Sequence, residues 1–247
     1  TPSTSTFSYT GANGFGNTTV QSETYNDLTL NASDTFVLEA ATTVSNNLTI
    51  TAGTLDTVSG QNYGLTIGNN YSNSGTFEAQ AGTVTFNATD AGNTLGGTMT
   101  TTSAFYNLTF NGVAGAWSFS DAATVDNTFT ITNGTVTAPS GTLTITNNYS
   151  NSGTFTHNSG TVTMNATATG KTITAGGSSF YNLTFNGVGG GWTLQDATTV
   201  SNVLTITNGT LNGGSVTLTL SGTTGTPFSN SGTFTASTGT VTYTGNN

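Results

Sequence analysis

One histidine, His157, and one cation, Lys171, stand in a chain of 247 residues that has no cysteine. That inventory excludes a Cys–His nucleophile, a His-based triad with Cys, a multi-histidine metal site and a thiolate zinc site. His157 lies in THNSG, where the related segments read EAQAG and TASTG, so a solvated turn residue is expected. Lys171 lies in GKTIT, opposite GNTLG elsewhere in the chain, and a turn role is expected there too. The covalent chemistry open to Lys171 is an isopeptide cross-link to a carboxylate or an Asn.

Two carboxylates in a cleft would serve a glycoside hydrolase as acid and as base or nucleophile. Asp121 and Asp196 occupy equivalent slots before ATV and ATTV, where Ala40 stands in a third copy, and this recurrence points to a structural corner. Seven of the ten carboxylates, Glu23, Asp27, Asp34, Glu39, Asp56, Glu78 and Asp90, fall in the first 90 residues. Clustered oxygens of that kind are what calcium takes, yet the spacing matches no calcium-loop motif. No metal, no cofactor and no enzymatic activity are expected.

Two further features could bind rather than react. Trp117 and Trp192 share one repeat position and could stack on sugar rings, although aromatic residues alternating with Thr in a strand belong more often to a core. Thr-x-Thr recurs at 49/51, 83/85, 130/132, 144/146, 205/207 and 217/219, a pattern resembling the ice-contacting face of some antifreeze proteins. A strand with one buried face and a Thr-rich outer face makes the same pattern unaided.

The elements that carry these residues are strands in tandem copies. NNYSNSGTF occupies 69–77 and returns at 147–155, with TPFSNSGTF at 226–234, and FYNLTFNGV occupies 105–113 and 180–188. Between them run DTFVLEAATTVSNNLTITAGTL (34–55), WSFSDAATVDNTFTITNGTV (117–136) and WTLQDATTVSNVLTITNGTL (192–211). GTVTF, GTVTM and GTVTY follow each SNSGTF phrase. Apolar residues trade places with Thr over four to six positions, which marks strands with one buried face, and NG, GG and SG pairs separate them. The division is an N-terminal segment with a partial first coil (1–24), unit 1 (25–105), unit 2 (106–180) and a truncated unit 3 (181–247).

The second copy divides into nine strand candidates: NLTF, WSF, ATV, TFTIT, GTVT, LTIT, SGTF, GTVTM and KTIT. Three strands per coil of about 25 residues, stacked at about 4.8 Å, give a parallel β-helix (β-solenoid) of about nine to ten coils in three tandem units. The alternative is a chain of tandem β-sandwich modules. In the solenoid SNSGTF is expected to mark one corner in successive units, with Gly153 at positive φ. On phrases such as LTITNGTL, NNYSNSGTF and FYNLTFNG the chain resembles the extracellular β-helical repeat proteins of microbial surfaces, including haemagglutinin-like adhesins and filament-forming surface proteins. That resemblance implies adhesion, sheath or fibre roles and no catalytic residues.

Composition narrows the partners. Only 4% of residues are charged, against about 25% in ordinary soluble domains. The formal net charge of −9 leaves no basic footprint for nucleic acid or anionic lipid. No run of 18 apolar residues exists, so no membrane insertion is expected. The start at Thr1 fits removal of a secretion signal, and an extracellular location, cell surface or secreted, is expected. Sequons at Asn47, Asn107, Asn133, Asn182 and Asn208 are then possible glycosylation sites. FSYTG (7–11) resembles VTYTG (241–245), so the chain is expected to begin and end at one angular position without a cap. The functional expectation is a structural subunit whose open ends join head to tail into a filament. Its assembly interface would be Thr1, Pro2, Phe7, Tyr9, Val241, Thr242 and Tyr243, with the leading segment TPSTSTF, outside the repeat, locking across the junction. A glycan-binding adhesin stalk segment, with surface glycans as partners, and an ice-binding solenoid are the alternatives.

Overall fold

The computed structural model describes residues 4–11 and 16–245. It is an all-β parallel solenoid with three faces, in which the only helical element among the described residues is a single 3-10 turn, Thr101–Ser103. The tandem sandwich alternative is replaced by ladders that are parallel at every strand pairing. The repeat phrases dictate this outcome. Alternating Leu, Ile, Val and Phe point inward, and the Thr residues between them form columns on the outside, as in Thr24, Thr43, Thr66, Thr85, Thr109 and Thr130.

The first face can be followed through its inward residues: Phe7, Leu28, Leu48, Tyr71, Leu95 and Phe119. The line goes on from Trp117 beside Phe119 through Val136 and Phe155, and the ring of Phe180 packs 5.8 Å from that of Phe155. Val200, Leu220 and Tyr243 complete it. These strands mark eleven coils between the first and the last, rather than nine to ten. Along the paired strands coil length runs from 18 residues (Thr18 to Phe36) to 24 (Phe86 to Phe110), shorter than the 25 expected.

The second copy shows where the extra coils come from. Tyr149–Asn151 is a separate strand, and Ser178–Phe180 holds a place on the first face, so the unit has eleven β-segments where nine were read from the sequence. Two long strands, Asn107–Phe119 and Phe129–Thr137, contribute two segments each by bending at corners near Asn111 and Asn133. Eleven segments at three per coil make three and two-thirds coils, so each copy is turned by a third of a revolution against the one before.

The three SNSGTF phrases therefore occupy three different corners, not one. Tyr71–Asn73 lies on the first face beside Leu48–Ile50. Tyr149–Asn151 continues the face that runs through Tyr25, Val44, Ile67, Phe86, Phe110 and Ile131. Phe228–Asn230 continues the remaining face, through Phe105, Val125, Ile145, Met164, Phe185 and Ile206. Three copies amount to eleven whole coils, and the last strand returns to the face of the first.

Inside, like stacks on like. Phe86 lies over Phe110 with centroids 5.3 Å apart, and Phe129 lies parallel to Tyr149 at 5.6 Å. Trp117 and Trp192, each 1% exposed, are core residues packed 5.2 Å from Phe110 and 5.1 Å from Phe185. The SNSGTF glycine is required for a reason other than the one expected. Gly153 is not among the glycines with positive φ. A Cβ there would sit 2.6 Å from the carbonyl oxygen of Gly134 and 2.8 Å from Ile131 Cγ2, and Gly75 and Gly232 face Gly53 and Gly209 in the same way. Corners of successive coils approach too closely for any side chain. Gly153→Ala should lower stability by about 1–3 kcal/mol, the usual cost of overpacking. Gly141→Ala, with nothing within 4 Å of the added carbon, should stay within about 0.5 kcal/mol of the parent in urea unfolding.

Candidate functional site: the two open ends

The residues with chemical potential act as structural fasteners. Asp196 accepts the backbone N–H of Ala175 and of Gly176, both at 2.7 Å, and Asp121 accepts that of Gly97 at 2.8 Å. Each carboxylate thus closes the corner of the preceding coil. His157 Nδ1 accepts the N–H of Ser159 at 3.1 Å in a turn, and its ring lies 5.4 Å from that of Tyr181. Lys171 opens the strand Lys171–Thr174 and pairs with Trp192, so it is a strand residue and not the turn residue expected. Burial pushes the phenols of Tyr71 and Tyr149 well above their usual range, which removes them as bases near neutral pH. No group of three or more His, Cys, Asp or Glu side chains among the described residues could hold a metal ion.

The SNSGTF asparagine is a buried clamp. Asn73, 0% exposed, donates from Nδ2 to Thr98 O at 2.8 Å and accepts the N–H of Gly75 at 3.0 Å. Asn151, 1% exposed, donates to Ala175 O at 2.9 Å and accepts from Gly153 at 3.0 Å. Each spans its own corner and the coil that follows. The third copy, Asn230, is exposed, because the described chain supplies no following coil on that face.

Asn side chains also form outer ladders that include the sequons. Asn47 donates from Nδ2 to Asp27 at 2.6 Å, Asn133 to Asn111 at 2.8 Å and Asn208 to Asn186 at 2.9 Å. Asn182 donates to Thr161 Oγ1 at 3.3 Å, and Asn107 accepts from Asn127 at 2.8 Å. A glycan attaches through Nδ2, so at four of the five positions it would replace a ladder bond.

Among the described residues each end of the solenoid presents one strand per face with a single ladder partner. At the start these are Thr6–Tyr9 on Asp27–Leu30, Thr18–Val20 on Phe36–Leu38 and Thr24–Tyr25 on Thr43–Val44. At the finish they are Thr240–Tyr243 on Thr217–Leu220, Phe228–Asn230 on Leu204–Ile206 and Thr233–Thr235 on Thr210–Asn212. Phe7 is 49% exposed and Tyr243 58%, two of the four large exposed hydrophobic residues among the described residues; the others, Val113 and Val188, share one repeat position. Tyr9 holds the first coil together through its hydroxyl, 3.3 Å from that of Tyr25, and its ring, 5.8 Å from Phe36.

Phe7, Tyr9, Val241, Thr242 and Tyr243, named from the sequence, thus lie on one face at opposite ends. Thr6 and Phe7 belong to the first strand of the solenoid, although TPSTSTF was read as lying outside the repeat; Thr1 and Pro2 lie outside the described residues. Sequence reasoning missed the edge strands on the other two faces and the exposed Asn230, whose signal was its match to Asn73 and Asn151. The acidic residues crowd toward the first end, while no charged residue follows Asp196 toward the other.

No protein-family model matches the chain, and neither a curated protein nor a solved structure is significantly similar to it. The fold defines a β-solenoid repeat protein.

Fasteners and catalysts respond differently to deletion. Asp196→Ala should cost about 1–3 kcal/mol in urea unfolding, as two charge-assisted backbone N–H bonds lose their acceptor, and Asp121→Ala should cost less because one is lost. Equal stability of Asp196→Ala and the parent would overturn the fastener role.

Proposed function

We propose that the chain is a non-catalytic structural subunit of an extracellular filament or surface fibre, assembling with copies of itself head to tail through the open ends of the solenoid. One observation carries this reading above the others. The third SNSGTF phrase repeats the clamp built at Asn73 and Asn151, but among the described residues no coil follows for Asn230 to hold, and the first coil of a second copy offers one on the correct face. Eleven whole coils bring the ends into phase, so stacking needs no rotation to match face to face. Docking would pair edge strands and bury apolar cross-section together, the physics of β-augmentation. A neutral end meeting an acidic one places no like charges across the junction.

The side surface supports lateral binding less well. Both tryptophans are buried, so they offer no platform for a sugar ring. The outer Thr columns have no continuous second Thr column beside them: next to the column from Thr24 to Thr130, Thr83 pairs with Asn107, and on another face, next to Thr144, Thr163, Thr184 and Thr205, Thr161 pairs with Asn182. Ice recognition on a flat face would draw on paired columns.

Electron microscopy of the purified chain should show fibres with a subunit rise of about 53 Å, eleven coils at about 4.8 Å. A rise near 25 or 90 Å, or short rods alone, would remove the coaxial filament. Asn230→Ala should raise the concentration needed for polymer without moving the melting temperature of the monomer. Asn151→Ala should lower that temperature, because its clamp is already closed.

A further inference from the structure

The two ends carry one strand too many. Between Phe7 and Tyr243 the first face holds twelve β-segments, whereas each of the other faces holds eleven, from Thr18–Val20 to Phe228–Asn230 and from Thr24–Tyr25 to Thr233–Thr235. If a second copy is stacked with every strand in place, its Thr6–Tyr9 rests on Thr240–Tyr243 and the other two faces are left a layer apart, about 4.8 Å of unpaired edge. If the copies close by one coil, the other two faces pair, and Thr6–Tyr9 and Thr240–Tyr243 compete for one slot.

Resting on the head-to-tail reading above, we infer that this slot is filled by exchange: Thr240–Tyr243 of one copy displaces Thr6–Tyr9 of the next and pairs with its Asp27–Leu30. The joint is already built twice inside the chain. Thr83–Phe86 pairs with Asn107–Phe110, and Thr161–Met164 with Asn182–Phe185, each at the passage from one unit to the next. Thr240–Tyr243 is the third member of that strand series, and Asp27–Leu30 is the acceptor in the same position as Asn107–Phe110. Thr6–Tyr9 holds this acceptor in the same register, Thr6 on Asp27, Phe7 on Leu28, Ser8 on Thr29 and Tyr9 on Leu30. TFSYTG and TVTYTG are thus interchangeable occupants, one in cis and one from a second copy.

Anchoring decides which strand yields. Residues 236–239 alone join Thr235 to Thr240. Gly239 in that short link is bonded through its N–H to Gly214 O and Ala236 O, at 3.0 and 3.2 Å. Thr6, Phe7 and Ser8 are all exposed in their present place. Exchange on the first face returns the four-residue ladder it removes. The gain lies on the other two faces, where Phe228–Asn230 would meet Thr18–Val20 and Thr233–Thr235 would meet Thr24–Tyr25. The same contacts occur within the chain, where Tyr71–Asn73 meets Leu95–Gly97 and Tyr149–Ser150 meets Ile173–Thr174. The first strand is thereby a plug that slows polymerisation until a second copy supplies its replacement.

Cysteine chemistry on a cysteine-free chain tests this directly. Ser8→Cys with Thr29→Cys, oxidised as the monomer, locks the plug; polymer should be lost and should return on reduction, with the circular dichroism of the locked monomer unchanged and its melting temperature no lower than the parent's. Filaments growing from the locked chain would overturn the exchange. Thr29→Cys with Thr242→Cys, oxidised or bridged by a short bifunctional thiol reagent within filaments, should give a ladder of covalent multimers. Filaments that yield no such multimers would equally overturn it. An unmodified chain that never polymerises would instead sink the filament reading itself, and the exchange with it.

Discussion

Everything in this molecule follows from the register of parallel strands stacked at about 4.8 Å, which sets each residue directly on its counterpart one coil away. A column then tolerates only side chains that can sit on a copy of themselves or on a near relative. Apolar residues satisfy that rule inside. Outside, an amide or a hydroxyl satisfies it because it donates and accepts at once, as in the column Asp27, Asn47 and Asn70, where each amide donates to the residue before it. A carboxylate only accepts, and two of them in register would repel. The low charge content fits that rule: Asp27 accepts from the Asn47 amide, Asp121 and Asp196 accept backbone N–H groups, and where Asp56 and Glu78 do fall in register the Gln80 amide donates to Asp56 at 2.8 Å.

The same register explains the glycines. Where strands turn, the corner of one coil lies against the corner of the next, and the carbonyl oxygens of Gly115, Gly134 and their neighbours occupy the space a Cβ would need. Gly134 and Gly209 add positive φ to close contact, while Gly153 and Gly232 owe their identity to close contact alone. The indole rings of Trp117 and Trp192 lie against these columns, so the largest side chains fill what the smallest residues leave open.

Much of this was legible in the sequence. Alternation in LTIT and TVTF pointed to strands, tandem phrases to a solenoid, and the alternation of aromatic residues with Thr to a core place for Trp117 and Trp192. The number of coils was hidden, because Tyr149–Asn151 turns a polar Asn inward and Ser178–Phe180 is too short to alternate. Without those two segments a unit appears to close on whole coils, and the rotation between copies disappears. The end strands were legible on one face because FSYTG repeats VTYTG. Their companions on the other faces were not, since neither Thr18–Val20 nor Phe228–Asn230 differs in composition from the strands that are fully paired. Asn230 could have been found by asking which repeat of a buried clamp has nothing after it.

The third-of-a-revolution offset between copies has a mechanical meaning. Corners rich in glycine bend differently from flat strands rich in Thr, and a solenoid with all its equivalent corners on one edge would flex in one plane. Here each phrase moves to a new edge about every 18 Å, three and two-thirds coils at about 4.8 Å each, and visits all three edges within one chain. Stiffness is averaged around the axis over that length. A rod built this way has no preferred direction of bending, and any feature on its surface winds about it as a screw thread.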